Sequence, residues 1–366
     1  MSHYFEIIGV SSYDDKHFSE VANREQIRMI NIEMTRSFSP LKDIIALYRM
    51  SIFFLNEKPS IVHSHTPKAG LIAMVSAWIT RVPVRLHTLA GMPLMEAKGL
   101  KKFILKFIEK ITCSCAHRIY PNSLGLHNYV IENKLCSSRK IQVLGNGSTN
   151  GINVNHFDPE KVFEDDEKRN SFRESLNISS EDFIFCFVGR IVKDKGIKEL
   201  VKAFEQMKSL STKSSKLLLV GPIGNDRDSL GEDVEVFLSS CPDIILAGRH
   251  DDIRPFLAIS DVFVFPSYRE GFPNVVLQAG AMGLPCIVSD INGNNEIIVP
   301  GSNGILVPPK MISPLKEAML LLISDNNMRI ELANQAREMI VSRYLQNPLW
   351  KLLLKEYQSL LAKKGN

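Results

Sequence analysis

The sequence predicts an α/β protein with two doubly wound domains. Short apolar runs alternate with amphipathic stretches through most of its 366 residues. Such alternation favours parallel sheets with helices on both faces. The length also indicates two hydrophobic cores rather than one. Two such domains facing each other would form a ligand cleft at the carboxyl ends of both sheets.

The first domain is expected over residues 1–150. Its patterns predict strands at 5–10, 61–63, 84–87, 118–120 and 141–144, and helices near 40–56, 68–80, 97–115 and 123–134. A doubly wound domain usually opens with a strand, a Gly-containing turn and a helix. Here the first apolar run resembles the second strand instead. We therefore expect this domain to lack its opening β-strand and Gly-rich loop. The loss of that strand would leave backbone N–H and C=O groups unpaired on both neighbouring strands.

The alternation lapses between residues 145 and 181, where a turn-rich segment and a charge run indicate a domain junction. The second domain is expected over residues 151–345. Its patterns predict strands at 183–188, 216–220, 244–247, 262–265, 286–289 and 304–307, and helices near 196–208, 252–259, 274–282, 314–323 and 326–342. A C-terminal helix, 346–366, is expected to pack back on the first domain.

The composition narrows the class of protein. Hydrophobic residues make up 45% and charged residues 23%, as in soluble globular proteins. No run approaches the ~18 apolar residues of a membrane span, and the start does not have the pattern of a signal peptide. Six scattered cysteines favour a reducing compartment. We therefore expect a cytoplasmic protein. A nucleic-acid partner is not expected, because the basic residues do not form a recognisable helix for reading DNA.

A loop after the apolar run 262–265 combines an acid with a helix start. Pro266 ends the run, and the loop carries Glu270 before Gly271, Phe272 and Pro273. Asn274 is then predicted to be the N-cap of the next helix. Free backbone N–H groups and the positive helix end would lie beside the carboxylate. This pattern predicts an anion site with an acid next to it.

Two cations follow the first strand of the second domain. The strand ends at Gly189, and Arg190 and Lys195 lie in the loop before a helix. Fixed cations at the carboxyl end of a strand suit a diphosphate, which arginine can bind bidentately. Alone, the pair is better explained as surface side chains. The Glu270 loop farther along the chain favours the functional interpretation.

Together these motifs resemble the retaining glycosyltransferases of family 4, which have the GT-B fold. The matching pieces are Gly189-Arg190 with Lys195-Gly196, and Pro266-Ser267 with Glu270-Gly271-Phe272-Pro273. The first domain adds the segments 64–70, 85–88 and 120–123, which resemble the branch that builds capsular, O-antigen and exopolysaccharide repeat units.

The resemblance implies roles for individual residues. Arg190 and Lys195, next to Gly189, would hold the donor diphosphate, and Glu270 would contact the donor sugar. His87 would face that sugar near the reacting carbon. The remaining donor-side positions would be the segment Gly271, Phe272, Pro273, Asn274 and Val275 at the phosphates, Arg249 near the nucleobase and Gln278 at the ribose. Acceptor-side positions would be His65, Thr66 and Lys68.

One position departs from the family pattern of Glu, seven residues, Glu. Gln278 occupies the second Glu position, which usually binds the ribose hydroxyls. An amide can still accept and donate hydrogen bonds, but it has no charge. We expect ribose binding to survive in weakened form.

The reaction implied is transfer of a hexosyl or N-acetylhexosaminyl group from a nucleotide sugar, with UDP as the expected nucleotide. The acceptor would be a hydroxyl of a glycan or of a polyprenyl-diphosphate-linked acceptor, and the anomeric configuration would be retained. No cofactor is expected. Two alternatives stay open: an N-terminally truncated or degenerate nucleotide-sugar-binding protein, and a nucleotide-sugar 2-epimerase on the same scaffold. A nicotinamide dehydrogenase is disfavoured, because no G-x-G-x-x-G follows a first strand.

No metal site is expected. Asp226-Arg-Asp228 is a nominal Asp-x-Asp motif, but such short matches are frequent by chance. His63 and His65 share a strand end without an evident third ligand.

Residues 99–110 form a basic amphipathic stretch. Leu100, Phe103, Ile104, Phe107 and Ile108 recur at helical spacing, with lysines around them. One interpretation is a core-facing helix with snorkelling lysines. The other is peripheral contact with the inner face of the membrane. Residues 1–150 have a net charge of +8 and the remainder −4, so an anionic surface is a suitable partner for the first domain.

Overall fold

The computed structural model describes residues 1–13, 15–35, 39–224 and 229–365. Two compact units are present: residues 1–149 together with 348–366, and residues 150–347. Both units contain parallel sheets and helices, which confirms the predicted α/β class. Within the described residues, no helix is both long and apolar enough to cross a bilayer.

The described residues of the first unit form five parallel strands in two sheets. The strands are β1 (Ile8–Ser11), β2 (Arg28–Asn31), β3 (Ile61–Ser64), β4 (Val84–Leu89) and β5 (Arg118–Pro121). One sheet pairs β1 with β2, and the other has the order β3-β4-β5. A doubly wound sheet has a strand between the positions of β1 and β3. In the described part of the chain, no strand joins these two.

The helices of this unit are α1 (Asp15–Glu25), α2 (Pro40–Glu57), α3 (Pro67–Ile79), α4 (Gly99–Cys115) and α5 (Leu124–Glu132). Prolines open α2 and α3, where a missing N–H costs nothing. Ser123 caps α5 by accepting from the Leu126 N–H at 3.1 Å. The strand expected at 141–144 is wrong: only an isolated bridge joins Ile141 to Ile119.

The described residues of the second unit form one six-stranded parallel sheet. Its strands are β6 (Phe183–Val188), β7 (Ser215–Val220), β8 (Ile244–Gly248), β9 (Val262–Phe265), β10 (Cys286–Ser289) and β11 (Gly304–Val307), in the order β11-β10-β9-β6-β7-β8. The helices are α6 (Asp166–Ser175), α7 (Ile197–Lys208), α8 (Glu232–Ser240), α9 (Arg254–Ala258), α10 (Asn274–Ala281), α11 (Asn294–Ile297), α12 (Ile312–Ser324) and α13 (Asn326–Tyr344).

The strand order reverses between β6 and β9. From β6 the chain adds β7 and β8 on one side, and β9, β10 and β11 on the other. Every residue of β6, β9 and β10 is buried, because helices cover both faces. Phe187 and Phe265 stack with their ring centroids 5.7 Å apart and hold these two strands together. Ligands of open α/β sheets bind at the carboxyl ends of strands at such a switch point.

The last helix, α14 (Gln346–Gly365), contributes its residues from Pro348 onward to the first unit. The Tyr357 hydroxyl lies 2.5 Å from His63 Nδ1. Glu356 Oε1 accepts from the Tyr120 hydroxyl at 3.0 Å. Two side chains of α14 therefore bond to residues in β3 and β5.

Candidate active site

Two loops meet at the switch point, one after β6 and one after β9. The Tyr268 N–H donates to the Asp194 carbonyl at 2.9 Å, and Ser267 Oγ donates to the same carbonyl at 3.3 Å. Gly196 makes the approach possible, since its φ is +70° and a Cβ there would lie 2.2 Å from the Pro266 carbonyl oxygen. The sequence brings the two loops into backbone contact through this glycine.

Lys195 and Glu270, predicted to contact the donor diphosphate and the donor sugar, form an ion pair across these loops. Ser267 Oγ donates to the paired Glu270 oxygen at 3.0 Å, and Lys195 Nζ lies 5.1 Å from the centre of the Phe265 ring. The side chains keep 20% and 16% exposure, so a ligand can still reach them from solvent. A second ion pair joins the loops through Asp194 and Arg269, neither of which the sequence indicated.

The Glu270 loop is also held by Asn292, which follows β10. Its Nδ2 donates to the Gly271 carbonyl at 2.8 Å and to the Glu270 carbonyl at 3.2 Å. These bonds fix the backbone on which the carboxylate is mounted. Sequence reasoning missed Asn292, although an Asn-Gly pair just after an apolar run is a recognisable loop signal.

The helix after this loop begins one residue earlier than the predicted cap implies. Pro273 is the N-cap of α10 and Asn274 is the first helical residue, so the assignment of Asn274 as cap is wrong. Pro273 has no side-chain acceptor, and the first-turn N–H groups of α10 are therefore not capped by it. The side chain of Phe272 is buried. Its ring packs edge-on against the Tyr344 ring, with the ring centroids 5.5 Å apart.

Asn274, one helical turn before Gln278, lies on the same side of α10. Asn274 is exposed, and Val275 and Gln278 are half-buried. This helix side starts at the end of the Glu270 loop. Both polar side chains are thus close to the predicted anion site.

Glycines end the neighbouring strands. The Gly189 carbonyl oxygen would lie 1.9 Å from a Cβ on Gly221, whose φ is +148°, so only glycine fits after β7. The Gly221 N–H donates to the Gly248 carbonyl at 2.8 Å, which aligns the ends of β7 and β8. Arg190 follows Gly189 and Arg249 follows Gly248, and both arginine side chains are exposed.

His87 lies in the first unit and is fully buried. Its Nδ1 is 2.7 Å from Ser64 Oγ, and a Cβ on Gly70 would lie 2.3 Å from its Cε1. Burial, aided by the nearby His65, lowers the pKa of His87 to about 4, so the ring is neutral at neutral pH. Its Nε2 has no hydrogen-bond partner in the described residues. The ring lies against the first turn of α3 and does not reach solvent.

The other histidines lie at the end of β3. His63 Nε2 is 2.7 Å from Thr88 Oγ1, and with the Tyr357 contact at Nδ1 both ring nitrogens have partners. Burial holds the pKa of His63 well below its usual value. The His65 ring stacks on the His63 ring, with the two ring centroids 4.3 Å apart. The sequence did not reveal Tyr357, because it is far from His63 along the chain.

The remaining acceptor-side residues lie at the start of α3. His65 and Thr66 are exposed. Lys68 Nζ is 2.6 Å from Asp43 Oδ1 and donates to Thr35 Oγ1 at 2.8 Å. The ion pair links the first turn of α3 to the first turn of α2. No group of three metal-ligating side chains occurs in the described ranges, and Asp226 and Asp228 lie outside them.

The apolar side of α4 is exposed. Leu100, Phe103 and Phe107 retain 75%, 71% and 60% of their accessible surface. The interpretation of this stretch as core-facing is therefore wrong for these residues. The buried side contains Glu109 instead, and burial raises the pKa of this carboxyl to about 7.

Comparison with known proteins identifies the family. The family model "Glycosyl transferase 4-like domain" matches residues 3–147, and "Glycosyl transferases group 1" matches residues 168–339. The capsular polysaccharide biosynthesis glycosyltransferase CapM of Staphylococcus aureus is 34% identical over 90% of this chain and 84% of its own length. This chain belongs to the family 4 glycosyltransferases. The resemblance seen in the sequence motifs is thereby confirmed.

Other relatives of this glycosyltransferase support the assignment. An Escherichia coli UDP-Gal:α-D-GlcNAc-diphosphoundecaprenol α-1,3-galactosyltransferase is 27% identical over 85% of this chain and 78% of its own. A Rickettsia africae glycosyltransferase structure superposes with a TM-score of 0.79 at 20% identity, covering 97% of this chain and 90% of that one. Anabaena HepE in complex with UDP gives 0.79 at 17% identity, with 96% and 92% covered. These structures show that the fold is GT-B.

Proposed function

We propose that this glycosyltransferase moves a sugar from a UDP-sugar to a hydroxyl of a polyprenyl-diphosphate-linked glycan, with retention of anomeric configuration, in bacterial surface polysaccharide synthesis. The observation that carries the proposal is the Lys195–Glu270 ion pair at the β6/β9 switch point, beside the start of α10. A cation, an acid and the first turn of a helix whose N-cap residue makes no side-chain cap lie together there. These are the groups that a diphosphate and a sugar hydroxyl need.

The donor diphosphate would bind to Lys195, Arg190 and the first turn of α10. Cationic side chains and helix N-termini both favour phosphate oxygens. The E. coli relative is named for a UDP-Gal donor, and HepE binds UDP, which supports uridine as the base. Arg249 is our candidate for the base and Gln278 for the ribose.

Glu270 would accept hydrogen bonds from the donor sugar hydroxyls. Its position is set by Ser267 and Asn292, so the carboxylate is oriented before the sugar arrives. Binding the diphosphate would draw Lys195 toward the phosphates and leave Glu270 to the sugar. The ion pair would thus be exchanged for two contacts with one ligand.

The chemistry would proceed on one face of the sugar. The bond from the anomeric carbon to the phosphate oxygen breaks, the bond to the acceptor oxygen forms on the same face, and the departing phosphate takes the acceptor proton. Lys195, Arg190 and the α10 N–H groups would stabilise the leaving diphosphate, each by about 3 kcal/mol. These groups supply the positive charge without a metal.

His87 is our candidate contact to the donor sugar. Its neutral ring and its Nε2, which has no partner in the described part of the chain, are consistent with that role. The contact requires the ring to move from beneath the first turn of α3.

His65, Thr66 and Lys68 would bind the acceptor. The names of the E. coli and Campylobacter jejuni relatives specify diphosphoundecaprenol-linked acceptors, which supports a lipid-linked acceptor here. We also propose that the protein acts in the cytoplasm at the inner face of the membrane, with the exposed apolar side of α4 in contact with lipid.

A panel of nucleotide sugars with a diphosphate-lipid acceptor tests the proposal. We expect one UDP-sugar to give product, with the α- or β-configuration of the donor preserved in the proton NMR spectrum. Incubations without acceptor test the 2-epimerase alternative, which would convert the sugar itself. Absence of transfer with every donor, together with absence of UDP binding, would overturn the proposal.

A further inference from the structure

Helix α14 packs on one side of the β3-β4-β5 sheet. Tyr357 and Leu361 of this helix lie against a small core around Leu86. His63 pairs in register with Leu86, so both side chains lie on the α14 side of the sheet. His63 is near the end of β3, where the predicted acceptor-side segment begins. The last helix of the chain therefore contacts a histidine that borders this segment.

The His63 ring is held at both of its nitrogens. Nδ1 lies 2.5 Å from the Tyr357 hydroxyl, and Nε2 lies 2.7 Å from Thr88 Oγ1. Burial lowers the pKa of His63 and raises the pKa of Tyr357, so the ring is neutral and the phenol keeps its proton. Within the described residues the Tyr357 hydroxyl has no second hydrogen-bond partner, so it donates to Nδ1. The single N–H of the ring is then at Nε2 and donates to Thr88.

The fixed ring of His63 supports the ring of His65. The two rings stack with 29° between their planes. The His65 side chain is exposed, and in the part of the chain that the structure describes it makes no hydrogen bond. Both of its ring nitrogens are therefore open to a ligand. The stack limits the rotation of the His65 ring and so orients these nitrogens.

A second hydrogen bond joins α14 to the sheet without involving a histidine. The Tyr120 hydroxyl donates to Glu356 Oε1 at 3.0 Å, and Arg118 Nε lies 3.6 Å from the same oxygen. Together with the apolar packing, these contacts attach the helix to β5. The bond from Tyr357 differs from them, because its acceptor is a ring nitrogen of His63.

We propose that Tyr357 is a positioning residue for the acceptor, and that it acts through His63 to hold the His65 ring in the orientation that hydrogen-bonds a hydroxyl of the acceptor glycan. The proposal rests on the proposed function for the assignment of His65 to the acceptor. The loops of the second unit that are proposed to bind the donor contain none of these residues. Tyr357 should therefore affect the acceptor and leave UDP binding unchanged.

Kinetics with the acceptor varied test the proposal. Tyr357→Phe keeps the ring and removes only the hydroxyl, so the acceptor KM should rise about fivefold, as for the loss of one hydrogen bond. The kcat and the UDP dissociation constant should change less than about twofold. Tyr120→Phe removes the other hydroxyl between the sheet and α14. It is the matched control and should leave the acceptor KM within about twofold of the wild type.

Thr88→Val tests the same ring from its other nitrogen. It should also raise the acceptor KM. Because Tyr357 and Thr88 act through one ring, the double variant should lose less than the product of the two single losses. If Tyr357→Phe melts early, Thr88→Val replaces it in the kinetic test, and a folded Thr88→Val protein with wild-type acceptor KM would overturn the proposal.

Nitrogen NMR of protein labelled at histidine gives a readout that does not depend on activity. The wild-type spectrum should show His63 as the Nε2–H tautomer, with its signals assigned by their loss in His63→Gln. In Tyr357→Phe the Nδ1 signal of His63 and the ring signals of His65 should shift. Tyr120→Phe should leave the His65 signals in place. Melting temperatures of the same samples show which variants are folded.

The outcomes separate this proposal from the proposed function. A folded Tyr357→Phe protein with wild-type acceptor KM and wild-type His65 signals would overturn the positioning role. Equal effects of Tyr357→Phe and Tyr120→Phe would also overturn it, since they would show that α14 acts only by supporting the sheet. A wild-type protein that transfers no sugar and binds no UDP would refute the proposed function. The NMR comparison would still show whether Tyr357 orients the two histidine rings.

Discussion

Lys195 Nζ and Glu270 Oε1 form an ion pair between the loops that follow β6 and β9. Each residue was assigned a different part of the donor from sequence motifs: the cation to the diphosphate and the carboxylate to the sugar. Their pairing gives the two loops one shared electrostatic contact at the switch point. Changing either residue should therefore affect the other, and the effect depends on which part of the donor is present.

Glu270→Gln should separate sugar transfer from nucleotide binding. The amide keeps the shape of the side chain but loses the negative charge that strengthens hydrogen bonds from the sugar hydroxyls. The kcat should therefore fall about 100-fold. UDP lacks the transferred sugar that residue 270 would contact, and the substitution releases Lys195 from its ion pair, so the calorimetric UDP affinity should hold or rise. Equal losses of UDP affinity and kcat would contradict the assigned division of roles.

Gln278→Glu should tighten donor binding. A carboxylate accepts hydrogen bonds from ribose hydroxyls more strongly than an amide, by about 1 kcal/mol. The dissociation constant for UDP should fall about fivefold, and Gln278→Leu should raise it. If both variants bind UDP as the wild type does, Gln278 does not contact the ribose.

Gly70→Ala should destabilise the first unit by about 1–3 kcal/mol, because its Cβ would overlap the buried ring of His87. Replacing the ring as well, in Gly70→Ala/His87→Ala, should recover part of this loss. Chemical denaturation of the two single variants and the double variant gives the coupling energy. Strict additivity would mean that the two residues are not in contact in solution.

Glu109→Gln should change stability in a pH-dependent way. The carboxyl pKa is about 7 in the folded chain against 4.5 ordinarily, so the folded state holds the extra proton between these values. Wild-type stability from this group is present at low pH and lost as pH rises. The variant should therefore gain about 3 kcal/mol over the wild type on going from pH 4.5 to 8.

His87 contributes with the opposite sign, since its pKa of about 4 lies below the ordinary 6.5. The stability that His87 contributes is lost as pH falls through that window. In the wild-type protein, the pH dependences from His87 and Glu109 would therefore partly cancel. The difference between Glu109→Gln and wild type isolates the carboxyl. A difference that does not vary with pH would show that Glu109 is not buried as the structure has it.

The second unit could be predicted closely from its sequence. The strands β6 and β9 have the predicted bounds, 183–188 and 262–265, because both are short, wholly apolar runs ended by Gly or Pro. The first unit was harder. The strand β2 escaped prediction because its ends are exposed and its apolar signal is two residues long.

Side-chain contacts between distant segments could not be read from local patterns. Asn292, Asp194 and Tyr357 gain their roles from partners that only the fold brings near. Periodicity found the apolar side of α4 but could not tell which side faces the core. That choice depends on α3 and on the buried Glu109, which no rule of amphipathicity would place inside.

The most direct test of the central claim, that the β6/β9 switch point is the nucleotide-sugar site, is UDP affinity and turnover of Lys195→Ala. Lys202→Ala, an exposed lysine on α7, is the control. Removing the Lys195 cation should lower turnover about 100-fold and weaken UDP binding, with an unchanged melting temperature. Turnover and UDP affinity near the wild-type values in the folded Lys195→Ala protein would contradict the account.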